Sequence, residues 1–403
     1  MDELTLVRRR YDAVLYLLAC ALDGSTPDAE LVGSLDLEAV FAEATRHNVE
    51  AMVAHVLERI GMATPAMTDA KNKSIRRAML FDRARAEIFA ALEREGIKYM
   101  PLKGVILKDM YPYIGLRQMT DNDILFTADR RADVKRIMTE LGYEVEEYCR
   151  SNQDVYMKAP VYNFEMHVGL YGSGTHKRYA DYFEGILDRA DRMVGTEWGR
   201  LPTAVDFYLH LKSHEHKHYA GGGTGLRSLC DTYVFVSKKG AQIEGEELRS
   251  GLEVLGLAEF DRATRELSAR IFSPESREAL LAAVTGGADY LTDGQRTMLD
   301  YYATSGAYGK LGNFVENDFT AYSGGEVTLG KKIGYVMRRI FPPVEFYKEA
   351  APVVYKHRIL IPGYCLIRFL RAVFTKPLHL IKQLRLLSKV EKKTENVNKS
   401  SQK

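Results

Sequence analysis

At 403 residues, 46% hydrophobic and 27% charged, the chain is long enough for two or three packed units, and its 24 Tyr and 16 Phe argue against general disorder. A net charge of +2 lacks the positive surplus of a dedicated nucleic-acid binder. Cys20, Cys149, Cys230 and Cys365 are scattered, which fits neither a disulfide framework nor a zinc knuckle and points to a reducing cytoplasm.

The amino terminus, MDELTLVRRRYD, is acidic and then basic before any apolar run, the wrong order for a cleaved signal peptide. Val14, Leu17, Leu18 and Leu22 recur at helical spacing, so residues 1–75 read as an amino-terminal helical region. A further helix is expected from about Ile75 to Glu95, closed by a left-handed turn at Gly96. IKYMPL then reads as a strand, Lys103-Gly104 as a tight turn and VILKDMY as a helix. DNDILF at 121–126 is a second strand, Arg130 to Leu141 a helix closed by Gly142, and YEVEEY, DVYMK and YNFEMHV are three more strands.

Strands alternating with helices, then running together, imply an α+β fold with a mixed sheet over 76–200. Residues 201–310 read as a helical domain, 311–390 as a carboxyl-terminal basic helical region, and 391–403, EKKTENVNKSSQK, as a disordered tail. No apolar stretch approaches the roughly 20 residues that span a bilayer, the nearest being ILIPGYCLI before Arg368.

Asp121 and Asp123 are two apart on a strand, so the period of two sends both side chains to one face. Like charges that close are costly unless a cation neutralises them. Glu165, in the apolar strand NFEMHV, can bring a third carboxylate, and three such groups suit two Mg²⁺ ions, one on a triphosphate and one on an attacking hydroxyl. The plainer reading is an edge strand whose acids face water.

PLKG at 101–104, YPYIGLRQMTDNDILF at 111–126 and FEMH at 164–167 resemble a bacterial family of uncharacterised nucleotidyltransferases within the polymerase beta-like nucleotidyltransferase superfamily. Weaker likeness extends to HLKSHEHKHYAGGGTGLRSLCD at 210–231 and to RRIFPP. The resemblance implies a nucleotidyltransferase-type mixed-sheet core with helical flanks. It also implies transfer of a nucleoside monophosphate from an NTP, ATP foremost, to the hydroxyl of an unidentified acceptor. Asp121, Asp123 and Glu165 would be the catalytic, metal-binding carboxylates, with Mg²⁺, or Mn²⁺ in its place, as cofactor. The alternative is a non-catalytic nucleotide-binding regulatory or scaffold protein at a membrane surface, and under either reading the protein is expected in the cytoplasm or peripheral at the inner membrane face.

The wider superfamily commonly has Gly-Ser where this chain has Lys103-Gly104. Lys103 could contact phosphate at the helix amino terminus behind Gly104, or only neutralise Asp121 or Asp123. Arg117 suits bidentate phosphate binding, or a surface salt bridge. His167, two residues after Glu165, shares its face and could orient it or act as a base. His210, His214 and His218 form one helical stripe. The resemblance places His214 and His218 beside the site, where phosphate or acceptor contact competes with plain packing. Arg227 and Asp231 share a helical face and could pair, and Gly221–Gly225 is a flexible connection that could close over substrate. Residues 353–390 mix apolar and basic residues, which suits an anionic membrane surface, or a helix pair packed on its own chain with basic groups in solvent.

Overall fold

The computed structural model describes residues 3–172, 176–286 and 289–391. Its centre is a five-stranded mixed sheet, β1 (Tyr99–Pro101), β2 (Asn122–Phe126), β3 (Glu144–Glu147), β4 (Gln153–Lys158) and β5 (Tyr162–His167), in the order β1-β2-β5-β4-β3. β2 and β5 are parallel and the other pairings antiparallel. A parallel neighbour needs a crossover, which the Arg131–Glu140 helix and the β3–β4 hairpin supply.

One face of this sheet is apolar. Ile124, Phe126, Tyr156, Phe164 and Met166 pack there with Ile88, Leu92, Val134 and Met138 from the helices Pro65–Arg94 and Arg131–Glu140. Each such side chain, fully buried, stabilises the fold by about 1.5–3 kcal/mol before entropy is counted. The alternate residues of β2 and β5 turn to the opposite face, towards the Ala204–Ala220 helix.

The strands expected from sequence all form, and Gly96 and Gly142 adopt the left-handed turns expected of them, at φ +64° and +80°. The helix expected from Ile75 begins earlier, at Pro65. Thr64 caps it through the Met67 amide, and Pro65 occupies its first turn, where no N–H partner is needed. The polar run Asp69-Ala70-Lys71-Asn72-Lys73 hides this start from apolar periodicity, and the helix runs unbroken through residue 75.

Residues expected in separate amino-terminal and central helical units share one core. Val14, Leu17, Leu18 and Val53 pack with Leu226, Leu229, Leu267, Leu299 and Tyr302. The sheet is bound to this helical body by a buried ion pair. Arg117, in the loop before β2, donates through Nε and Nη2 to the two carboxylate oxygens of Asp231 at 2.8 and 2.9 Å, and Tyr111 donates to the same carboxylate at 2.7 Å. Asp231 therefore does not pair with Arg227, and Arg117 makes no surface bridge, because both partners are buried.

The connection Gly221–Gly225 is held rather than loose. Gly222 accepts from the Lys310 amide at 2.7 Å, Asn317 donates to the Gly221 carbonyl at 2.8 Å, and the Leu226 amide donates to His47. The expected tail lies outside the described residues from 392 onward.

Removing one partner of a buried ion pair leaves an uncompensated charge, whereas replacing both with apolar groups need not. Asp231→Ala is therefore expected to lower unfolding free energy by about 3–5 kcal/mol, and Arg117→Met combined with Asp231→Leu to recover most of it. Urea denaturation of the three proteins checks this. Equal midpoints for parent and Asp231→Ala would mean that the pair does not bind the sheet to the helices.

Candidate functional site

The site begins where β1 ends. The Leu102 amide donates to the Asp123 carbonyl at 3.0 Å, and the chain reverses through Lys103 at φ +43°, a backbone region that costs a residue with a side chain of order 1–3 kcal/mol. Gly104 follows under Arg117. A Cβ there would lie 2.4 Å from Arg117 Nη1 and 3.0 Å from Met119 Sδ, so only glycine fits beneath the anchored guanidinium. The helix behind it is a single turn, Gly104–Leu107, continued as 3₁₀ to Met110. Its macrodipole is weaker than the sequence implied, because few peptide units align in it.

The strained turn puts the Lys103 ammonium 2.8 Å from Asp123 Oδ1. His167 Nε2 lies 2.8 Å from the same oxygen. Parallel register sets Asp123 beside Glu165 and Leu125 beside His167, which places all three polar groups on one sheet face. Glu165 Oε2 accepts from Gln153 Nε2 at 2.8 Å. Asp121 stands just before β2 rather than within it and lines the same cleft.

Burial raises Asp123, but the Lys103 charge and the His167 bond outweigh it and hold the carboxyl well below the usual carboxylate range. Burial and the Asp123 charge push Asp121 up. Burial, then the charges of Asp123 and Asp121, push Glu165 up to about 7. Burial also keeps His167 below its usual value despite its bond to Asp123. The Lys103 ammonium is hydrogen-bonded to Asp123 and acts on Asp121 and Glu165 through its charge, which burial and carboxylate repulsion outweigh there.

One ligand atom each from Asp123, Glu165 and His167 lies within 4.8 Å of the others. Two carboxylates and an imidazole, with a third carboxylate nearby, fit a divalent cation by donor type and by the charge left uncompensated. His167 joins this set by geometry, whereas the sequence offered Asp121.

The cleft has a volume of about 350 Å³ and brings together Lys103, Gly104, Arg117, Asp121, Asp123, Glu165, His167, His214 and His218. A larger cavity of about 610 Å³ beside Lys98 and Arg130 is lined by Asp129, Asp181, Glu184 and Asp188, but among the described residues these form no group close enough to share a metal ion. Arg117 reaches the cleft wall with its guanidinium already committed to Asp231. His214 and His218 face each other at 3.2 Å, Nε2 to Nε2, and His210 lies deeper, 3.3 Å from the Tyr171 hydroxyl. His216 turns away to the Tyr179 hydroxyl. Among the described residues no carboxylate or cysteine joins the histidine stripe as a metal-binding group.

Sequence reasoning missed Gln153, Lys217 and Arg227, which also line the cleft. Arg227 donates to the Gln118 carbonyl at 3.3 Å, and its presumed partner Asp231 is taken by Arg117. A basic residue in the last turn of the histidine helix was the available signal for Lys217, and nothing local marked Gln153.

A family model described as "Uncharacterised nucleotidyltransferase" matches residues 33–273. No curated protein matches the chain. Among solved structures the chain is similar to the antibiotic-resistance factor ANT(2'')-Ia, at 13% identity, covering 50% of this chain and 94% of that one, with a TM-score of 0.23.

A carboxyl raised in the folded state gives stability that is full below its unfolded pKa and lost as pH rises through the folded one. For Glu165 that window runs from about 4.5 to about 7. In chelator, the melting temperature of Glu165→Gln relative to the parent is expected to increase as pH rises from about 5 to about 8. Thermal melts across that range check it. A difference independent of pH would mean that Glu165 is not held near its neighbours' charges.

Proposed function

Since the chain belongs to the family of uncharacterised nucleotidyltransferases, we propose that it transfers a nucleoside monophosphate from an NTP to a hydroxyl of its acceptor, releasing pyrophosphate. The observation that carries this reading is Asp123 beside Glu165 across β2 and β5, in a cleft whose other wall is basic.

Asp123 and Glu165, with Asp121 and His167 beside them, would hold Mg²⁺ or Mn²⁺, which supplies charge neutralisation on the triphosphate and acidifies the attacking hydroxyl. Lys103 exchanges its bond to Asp123 for a phosphate oxygen, and the anchored turn fixes where that oxygen sits. Arg227 and Lys217 take the further phosphate charge, in place of the contact assigned to Arg117 from sequence. Gln153 holds Glu165 in position through its carboxamide. His214 and His218 border the acceptor side. A neighbouring cavity of about 780 Å³ shares Asn152 with the cleft and gives the acceptor a route in.

The Lys103–Asp123 bond also favours a second reading, nucleotide binding without turnover, because an ammonium on Asp123 competes with any cation for that oxygen. NTPs labelled at the α- or γ-phosphate, incubated with the protein and cell extract, separate the two. Transfer of α-label with release of pyrophosphate supports the enzyme, transfer of γ-label means phosphoryl transfer, and retention of intact NTP supports the second reading.

Two variants sharpen the assignment. Lys103→Ala is expected to weaken ATP binding about tenfold or more and adenosine binding little. Glu165→Gln is expected to keep ATP affinity within a few-fold and lose about a hundredfold or more in turnover, since each 1.36 kcal/mol of transition-state stabilisation is about tenfold in rate. Calorimetry beside the transfer assay reads both. Equal loss of ATP and adenosine affinity in Lys103→Ala would make that lysine a structural counter-ion.

A further inference from the structure

The carboxyl-terminal helices are joined to one another by small cores, Val315, Phe319, Tyr335 and Leu387 in one and Tyr347, Val354 and Cys365 in the other. These cores use only part of the apolar surface. In the Ile361–Thr375 helix, Cys365 is buried, while Leu366, Ile367, Leu370 and Phe374 fall within an arc of about 100° and are all exposed. The face continues past the corner at Lys376 into the Pro377–Lys389 helix, where Leu378 is exposed. Phe374 is 78% and Leu378 81% accessible, so the corner presents a phenyl ring and an isobutyl group to solvent on either side of a lysine. Packing on its own chain, one of the two readings of this segment, therefore accounts for only part of its apolar surface. The apolar residues outnumber the positions that its small cores can take.

Charge identifies what covers the face. Residues 351–390 contain eight lysines and arginines and no aspartate or glutamate. Arg371, Lys376, Lys382 and Arg385 are all exposed, and Arg371 flanks the apolar arc. Exposed basic residues, with no acid among them, beside protruding apolar side chains complement a surface that is anionic outside and apolar beneath. Lysine and arginine stems can lie along the acyl boundary while their heads stay among headgroups. No helix among the described residues is long and apolar enough to cross a membrane, which leaves an in-plane arrangement.

We infer that residues 352–389 dock this protein on an anionic lipid bilayer, with Phe374 and Leu378 entering the boundary between headgroups and acyl chains and the basic residues resting on the lipid phosphates. The inference is independent of the nucleotidyl-transfer reading, because none of these residues lines the catalytic cleft.

The test uses the full chain, sedimented with vesicles of phosphatidylcholine alone or containing about 30 mol% phosphatidylglycerol. Partitioning is expected to be at least about tenfold stronger on the anionic vesicles and to weaken as salt is raised. Phe374→Glu with Leu378→Glu is expected to reduce it about tenfold or more, and Lys382→Gln with Arg385→Gln several-fold, all with parental circular dichroism because the residues are exposed. Equal binding to both vesicle types, or parental binding by the Phe374/Leu378 variant, would overturn the proposal. So would absence of vesicle binding together with self-association that the same variant abolishes, since the face would then be covered by a second copy of the chain.

Discussion

The structure turns on two carboxylates held side by side. Parallel pairing of β2 with β5 puts Asp123 beside Glu165, and like charges so placed repel unless positive charge or protonation relieves them. The fold answers on one side only. Lys103 and the His167 imidazole both bond to Asp123 Oδ1, while Glu165 accepts from the neutral Gln153 amide, lies 3.8 Å from His167 Nε2 and is pushed towards its protonated form. The proposed cation site rests on this crowding of carboxylates, which a bound divalent ion would relieve.

Much of the surrounding architecture serves to hold that pair. Lys103 reaches Asp123 because the chain reverses through a strained residue, and the reversal leaves room only for Gly104 beneath Arg117. Arg117 is fixed by Asp231 from the helical body, so the turn, the sheet and the Arg227–Lys239 helix form one mechanical unit. On the other side of the sheet Phe126, Phe164 and Met166 lock the register into the core. A slip by one residue would turn Glu165 inward and Phe164 into the cleft.

What could be read from sequence was local. A period of two through DNDILF and FEMH announced which residues share a face, and glycines at 96, 104 and 142 marked turns that the chain makes. The pairing of β2 with β5, across an intervening helix and hairpin, is a tertiary choice that no local pattern carries. Arg117 and Asp231 lie 114 positions apart, so the nearer Arg227 looked the better partner on helical spacing. That exchange matters chemically, since both arginines line the cleft but the Arg117 guanidinium is committed to Asp231 and that of Arg227 is not. In the carboxyl-terminal helices the composition was plain, but which apolar residues find partners depends on small cores visible only in three dimensions.

The central claim, that Asp123 and Glu165 together make a divalent-cation site, is tested most directly by titrating the protein with Mn²⁺ and following free ion by electron paramagnetic resonance. The account predicts saturable uptake by the parent, displaced by Mg²⁺ and lost in Asp123→Asn although that protein stays folded. Uptake by Asp123→Asn equal to that of the parent would contradict it.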